Sequence, residues 1–363
     1  MTMTPCPVDD GVLERVRSLM DEHDDLADGT FPYPAWDELV VSGIPATGAD
    51  GAADVADELA LVREVSRADV SLGRILDGHL NAVQRLVEQL PRDVAEPELA
   101  AVRDGRLALG VWGADPGPQE GEPAHLEGSD DGTLRVTGVK TFCSGAGGLH
   151  RAFVLVRDRA GGRPGTLAYV DLTDRVVVDR TWFRGAGMRG SASHRVVFSG
   201  ARVLWAADRP GTLLQQPWFA QDGLRTAAGW AGGADRVLAE TLARLRGRGR
   251  DDDLDGLAVA RMLQARRSLD LWLRHGAEAV TDAGPTLADE VTLARSAVAS
   301  AVRTTLDTAA EVLGSRPYAA GGAVERTTRD LRTYLLQHRL EPLLVRVGRS
   351  TLVEGDRGER DPS

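Results

Sequence analysis

Cysteine is nearly missing from this chain, and so are long apolar runs and basic blocks. Of 363 residues only Cys6 and Cys143 are cysteines. That is too few for a disulfide framework, and no His/Cys spacing resembles a zinc site, so both are expected as reduced thiols with no bound metal. No run of about 18 apolar residues is present to cross a bilayer, and the stretch Met1 to Asp10 lacks the basic and apolar regions of a secretory leader. A cytoplasmic protein without a membrane partner is the expectation. The formal net charge of −11, from 43 Lys and Arg against 54 Asp and Glu, argues against nucleic acid, whose phosphates are met by clustered cations. There is no internal repeat and no extended low-complexity tract.

What is present is 42% hydrophobic content, enough to bury a full core over roughly two to three domains' worth of chain at about 150 residues each. Val12, Leu13, Val16, Leu19 and Met20 sit at helical spacing in residues 9 to 27, and residues 34 to 43 read as a short helix opened by Pro34 and closed by Gly43. Between Ala52 and Leu90 the apolar pattern fills the inner faces of two helices meeting near Ser66 to Ser71. After Pro91 the pattern becomes mixed, with a strand at Leu107 to Trp112 and an acidic, loop-like stretch over 114 to 133. From Leu134 to Trp205, short β-branched runs alternate with Gly, Asp and Pro clusters: Leu134 to Val136, Ala152 to Val156, Thr166 to Val170, Val176 to Val178 and Arg195 to Phe198. Inside it, Gly187 to Ser191 reads as a tight turn in which glycine takes positive φ. Helices resume over Leu224 to Leu245, from Asp251 to about His275, over Leu287 to Leu313 with Gly314 as stop, and over Val324 to Gln337. The Ala/Gly content of the first of these permits close helix approach.

The order helix, β, helix and four strings together resemble the acyl-CoA dehydrogenase superfamily over nearly the whole chain. The strings are Trp36 to Gly43, Val136-Thr-Gly-Val-Lys-Thr-Phe142, Gly187 to Ser191 followed by Val196 to Val203, and Val324 to Arg332. The resemblance implies an α+β multidomain fold: an N-terminal helical domain over 1–106, a central β domain over 107–206, a C-terminal four-helix bundle over 207–353 and a charged tail over 354–363. It also implies a flavin, FAD with FMN as the other choice, in a homodimer or homotetramer. Carried over by position, Phe142 would lie against the isoalloxazine ring and Ser144 near its N5, a role that suits a hydroxyl able to donate or accept. Trp112, Ala114, Cys143, Glu311 and Gly314 fall at further cofactor positions.

The departures bear on chemistry. Where the dehydrogenases carry Thr-Glu-Pro, this chain reads Gly113-Ala114-Asp115-Pro116; the Arg-x-x-Phe-Gly segment has no counterpart near Arg246 to Arg250; and the adenosine-binding glutamine and glycines have become Glu311 to Ser315. The glutamate that abstracts the substrate's proton falls at His338. An imidazole differs from a carboxylate in charge and reach, so conventional acyl-CoA dehydrogenation is not expected. A flavin monooxygenase branch, of the dibenzothiophene monooxygenase type, also lacks that glutamate and uses histidine and serine, for which His79, Ser144 and His338 are the candidates here. Three readings stand. The first is a flavin-dependent oxidoreductase acting on a small metabolite or acyl thioester, with oxygenase chemistry in view. The second is a dehydrogenase whose base has moved to His338 or Glu311. The third is a flavin-free scaffold or binding subunit.

Overall fold

The computed structural model describes residues 8–26, 29–51, 53–128, 132–157, 165–249, 252–319, 321–337 and 339–358. Cys6 and His338 lie outside them.

The N-terminal part is helical. It consists of α1 (Asp10–Leu26), α2 (Tyr33–Val41), α3 (Val55–Ala68), α4 (Val70–Gln89) and α5 (Arg92–Arg103). The expected junction between two helices is one residue, Asp69. Its backbone is extended, its N–H closes α3 onto Val65 O at 2.9 Å, and its carboxylate accepts from Leu72 N at 2.8 Å to cap α4. The helix α5 falls where the sequence read as mixed. It tolerates Pro97 and packs Ala95, Leu99 and Val102 with Leu109, Phe153 and Tyr169 as a second, smaller core.

The β body contains β1 (Leu109–Trp112), β2 (His125–Gly128), β3 (Leu134–Cys143), β4 (Arg151–Val156), β5 (Thr166–Asp171), β6 (Val176–Asp179) and β7 (His194–Ala206). Spatial order is β1-β4-β5-β7-β3-β2, with β6 also on β7. Only β1 and β4 run parallel among these pairs. The strand β2 corrects the loop expected over 114 to 133: Glu127 sits opposite Arg135, and its carboxylate accepts from the Thr137 hydroxyl at 3.0 Å.

The C-terminal helices are α6 (Trp218–Gly247), α7 (Asp253–Asp282), α8 (Leu287–Leu313), the short α9 (Arg316–Ala319), α10 (Ala323–Tyr334) and α11 (Glu341–Gly358). The first two are longer than their apolar patterns, and α11 continues into the expected charged tail. Close approach by glycine holds as expected: a Cβ on Gly232 of α6 would come within 2.1 Å of Arg63 O on α3. Arg63 locks that contact with Asp235 of α6 and Asp270 of α7, each at 2.7 Å. Among the described residues no helix is long and apolar enough to cross a membrane.

Candidate active site at the end of β3

The strand β3 leaves its ladder irregularly. Its pairing with β7 shifts register between Lys140 and Cys143, and Phe142 adopts φ +51°. A bulky residue there costs on the order of 1–3 kcal/mol. The consequence is positional: Lys140, Thr141 and Cys143 are buried while the Phe142 ring stands 59% exposed. Trp182 meets that ring edge-on at 4.8 Å and Phe183 at 6.3 Å, and Trp182 is itself fixed by an Nε1–H bond to Glu120 Oε1 at 2.7 Å. One face of an aromatic platform is thereby offered outward.

Beneath it, Lys140 points its ammonium to Gly113 O at 3.1 Å and Asp115 Oδ1 at 2.8 Å. Burial lowers the Lys140 pKa, with Asp115 pulling the other way. Burial would raise the Asp115 carboxyl, but hydrogen bonds and charge from Lys140 and Arg157 outweigh it and hold Asp115 below the usual carboxylate range. The Thr141 hydroxyl donates to Asp115 O and the Thr141 N–H to Ala114 O. Asp115 and Thr141 thus tie the 113–115 segment to β3 where a threonine hydroxyl is missing, and Ala114 lies exposed beside Thr141.

Ser144 begins a chain of hydroxyls. Its Oγ lies 2.9 Å from Ser193 Oγ, which lies 2.7 Å from Ser191 Oγ, and Ser191 donates to Met188 O at 2.7 Å. Because a carbonyl only accepts, the last bond orients the others: Ser193 donates to Ser191, and Ser144 to Ser193. The Ser144 lone pairs are left facing away from the relay, and Trp112 Nε1–H holds the Ser144 carbonyl at 3.0 Å. Ser191 and Ser193 were not among the expected site residues. Their signal is the alternation Ser191-Ala192-Ser193 directly after Gly-Met-Arg-Gly.

The turn carrying those serines takes its positive φ at Met188 (+61°) and Ala192 (+46°), not at a glycine. Gly187 is required for proximity instead, since a Cβ there would come within 2.3 Å of Arg329 O on α10. Asp330 of α10 accepts from Met188 N at 2.6 Å. One helical turn further on, the Tyr334 hydroxyl donates to Asp77 Oδ2 of α4 at 3.3 Å, and that carboxylate also takes Arg74 at 2.9 Å and Thr226 at 3.2 Å. Burial raises the Asp77 pKa, although Arg74 and Arg225 oppose it. The sequence carried a signal for this interior too: Arg74, Asp77, Asn81 and Arg85 recur at helical spacing along an otherwise apolar α4.

The other expected residues stand elsewhere. His79 is fully buried; Leu109 N–H donates to its Nδ1 at 3.0 Å, so its proton sits on Nε2 and reaches Pro45 O at 2.9 Å. With both nitrogens taken by main chain, His79 has no atom free for a substrate, and its position is structural. Cys143 is buried, and burial pushes its thiol pKa far up, so it offers no thiolate. Glu311 and Gly314 lie exposed at the end of α8, and among the described residues no hydrogen bond joins them to Phe142 or Ser144.

The comparisons agree with this architecture. Residues 211–336 match the family described as acyl-CoA dehydrogenase, C-terminal domain. The chain has the acyl-CoA dehydrogenase fold. Its likeness to solved structures of that fold spans nearly the whole length. KijD3, in complex with FMN and a dTDP-linked amino-keto sugar, superimposes with a TM-score of 0.80 at 21% identity, over 93% of this chain and 92% of its own. FMN-bound TdsC from Paenibacillus sp. A11-2, a dibenzothiophene monooxygenase, gives 0.76 at 20% over 94% and 97%. Butyryl-CoA dehydrogenase from Megasphaera elsdenii gives 0.78 at 16% over 94% and 97%. No curated protein matches the sequence.

Proposed function

We propose that this chain is a flavin-dependent oxidoreductase that works on a small-molecule substrate with chemistry other than standard acyl-CoA dehydrogenation. The observation that carries the reading is the pairing of an outward-facing Phe142 with Ser144, whose proton is committed to Ser193. Phe142 would pack against the tricyclic ring, and Ser144 would meet its redox-active edge. A flavin, FMN or FAD, supplies reversible two-electron chemistry when bound. The protein's part is to hold the ring through Phe142, to offer lone pairs at Ser144 Oγ, and to fix both through Trp112, Trp182 and the serine relay. FMN-bound relatives on the same fold support a flavin here. Oxygenation is the favoured form, because among the described residues no carboxylate is hydrogen-bonded to Ser144 or Ser193 and Glu311 is exposed. The role of His338 belongs to this proposal and rests on sequence position alone, as do assembly as a homodimer or homotetramer and residence in the cytoplasm.

Titrating the purified protein with FMN and FAD tests the reading through quenching of flavin fluorescence. Phe142→Ala is expected to weaken flavin binding about tenfold or more from lost ring contact, while Phe142→Trp retains it. A colourless wild-type protein that takes up neither flavin would leave the scaffold reading in place. Anaerobic bleaching by substrate would favour dehydrogenation, and product formation only with oxygen would favour oxygenation.

The relay predicts a second result. With Ser144 restricted to accepting, it favours the reduced ring, which carries a proton on N5. Ser193→Ala frees the Ser144 hydroxyl to turn and donate, so the two-electron potential of the bound flavin is expected to fall by roughly 10–30 mV, the equivalent of one net hydrogen bond. Spectroscopic potentiometry reads this directly. An unchanged or raised potential would show that the relay does not set the orientation of Ser144.

A further inference from the structure

Behind Tyr334 the helical interior holds four arginines, Arg74 half-buried and Arg85, Arg225 and Arg295 buried. Three are matched. Arg74 pairs with Asp77 at 2.9 Å, Arg85 with Asp222 at 2.6 Å, and Arg225 with Glu58 at 2.9 Å and Asp222 at 2.6 Å. The fourth is Arg295 of α8, 8% exposed, and among the described residues it has no ion pair. Its Nε and Nη2 are sealed from solvent and find no acceptor, and its guanidinium carbon lies 6.0 Å from the centre of the Trp230 ring, whose own Nε1–H is also buried without an acceptor. Three donor nitrogens of two neighbouring side chains therefore find no oxygen among the described residues, where Arg74, Arg85, Arg225 and Arg295 outnumber Glu58, Asp77 and Asp222 by one charge.

An uncompensated buried guanidinium is among the most costly arrangements a fold can carry, since taking a charge out of water is repaid only by a partner. The indole face offsets part of that but accepts no hydrogen bond from the in-plane N–H groups. The placement is also directional. Trp230 meets Tyr334 edge-on at 6.1 Å, and Tyr334 stands one turn of α10 beyond Asp330, which holds the serine-bearing turn. The orphan donors thus lie one turn along the same face of α10 from the contact that holds the serine-bearing turn.

We propose that Arg295, with Trp230 Nε1–H beside it, receives an anionic oxygen group of the substrate, a carboxylate in its simplest form, and so selects acidic small molecules for the site. This rests on the reading of the β3 end as a flavin site for its catalytic meaning, but not for the binding event itself. A carboxylate matches the planar fork of a guanidinium with two parallel bonds, and its charge would bring the cluster to balance. A neutral amide of the same shape would lack that charge and would aim a donor at donors.

The test uses two matched probe pairs, butyrate with butyramide and benzoate with benzamide, added to the full-length protein with and without flavin, and reads thermal midpoint and Trp fluorescence. The carboxylates are expected to raise the midpoint in a concentration-dependent way and the amides to leave it unmoved. In Arg295→Met the carboxylate affinity should fall by about 30-fold or more, and Arg295→Lys should retain part of it. Without probe, Arg295→Met should melt at or above the wild-type temperature, because it removes a charge with no partner. Equal response to acid and amide, or carboxylate binding unchanged in Arg295→Met, overturns the proposal. So does a large drop in midpoint for Arg295→Met with no carboxylate effect on wild type, which would make Arg295 a structural residue. Flavin uptake is scored separately in the same samples, so carboxylate binding without flavin uptake would sink the flavin reading alone.

Discussion

Arg225→Met is expected to destabilise the protein by about 3–5 kcal/mol, the usual result of removing one partner from a buried ionic group. Arg225 is fully buried, with Nε ion-paired to Glu58 at 2.9 Å, Nη1 hydrogen-bonded to Asp222 and Nη2 to Gln84. Gln84 passes its amide to Gln221, which returns to Glu58 at 2.6 Å. The ring is closed, so withdrawing the guanidinium leaves two carboxylates sharing the interior with only Arg85 and one amide between them. Methionine fills much of the stem volume, which keeps a cavity from contributing heavily. The urea midpoint at neutral pH measures the loss. Arg225→Lys should recover only part of it, since an ammonium cannot reach three partners in one plane. The contrast with Arg295→Met is the sharper reading: two buried arginines on facing helices, one matched and one not, should respond in opposite senses. If Arg225→Met melts like wild type, the interior is not the closed ionic ring described.

The sequence made the helical scaffold legible because helix patterning is local. The span Leu287–Leu313 could be read residue for residue from a stripe of Val, Ala and Leu ending at Gly314. The junction at Asp69 lies inside the Ser66 to Ser71 stretch where the two apolar helix faces were expected to meet. Helix α5 and strand β2 were not legible for an equally physical reason. Each is short, and each owes its stability to a neighbour distant in sequence: α5 to the faces of β4 and β5, and β2 to β3. Phe142 and Ser144 were singled out through a resemblance that would place both beside a flavin. What lay beyond reach was the cooperation of groups separated by long stretches of chain, such as Ser144 with Ser193 or Tyr334 with Asp77. His79 shows the opposite failure. It was a candidate by position in the resemblance to the monooxygenase branch, yet both its nitrogens close backbone bonds in the core.

That placement of His79 makes a pH prediction. Burial lowers its pKa to about 4 in the folded protein, against 6.5 for an ordinary histidine, with the bond to Pro45 opposing the shift. Protonation would put a hydrogen on Nδ1, where Leu109 N–H already donates, so the charged form loses a bond as well as its hydration. Between the two values the unfolded chain binds the extra proton and the folded chain does not, so stability rises with pH across that window. The contribution is complete above about 6.5 and is lost as pH falls toward about 4; by the size of the shift it amounts to about 3 kcal/mol. His79→Gln tests it, because an amide can accept from Leu109 and donate to Pro45 without titrating. Urea midpoints should then decline less between pH 6.5 and 4 in the variant than in wild type. His194, whose pKa burial also lowers, is present in both proteins and cancels in the difference. An identical decline in both would assign the acid sensitivity to other groups. The strand that His79 anchors at Leu109 is the one whose Trp112 fixes the Ser144 carbonyl. Flavin retention in wild type is therefore expected to weaken over the same acid range and to hold in His79→Gln.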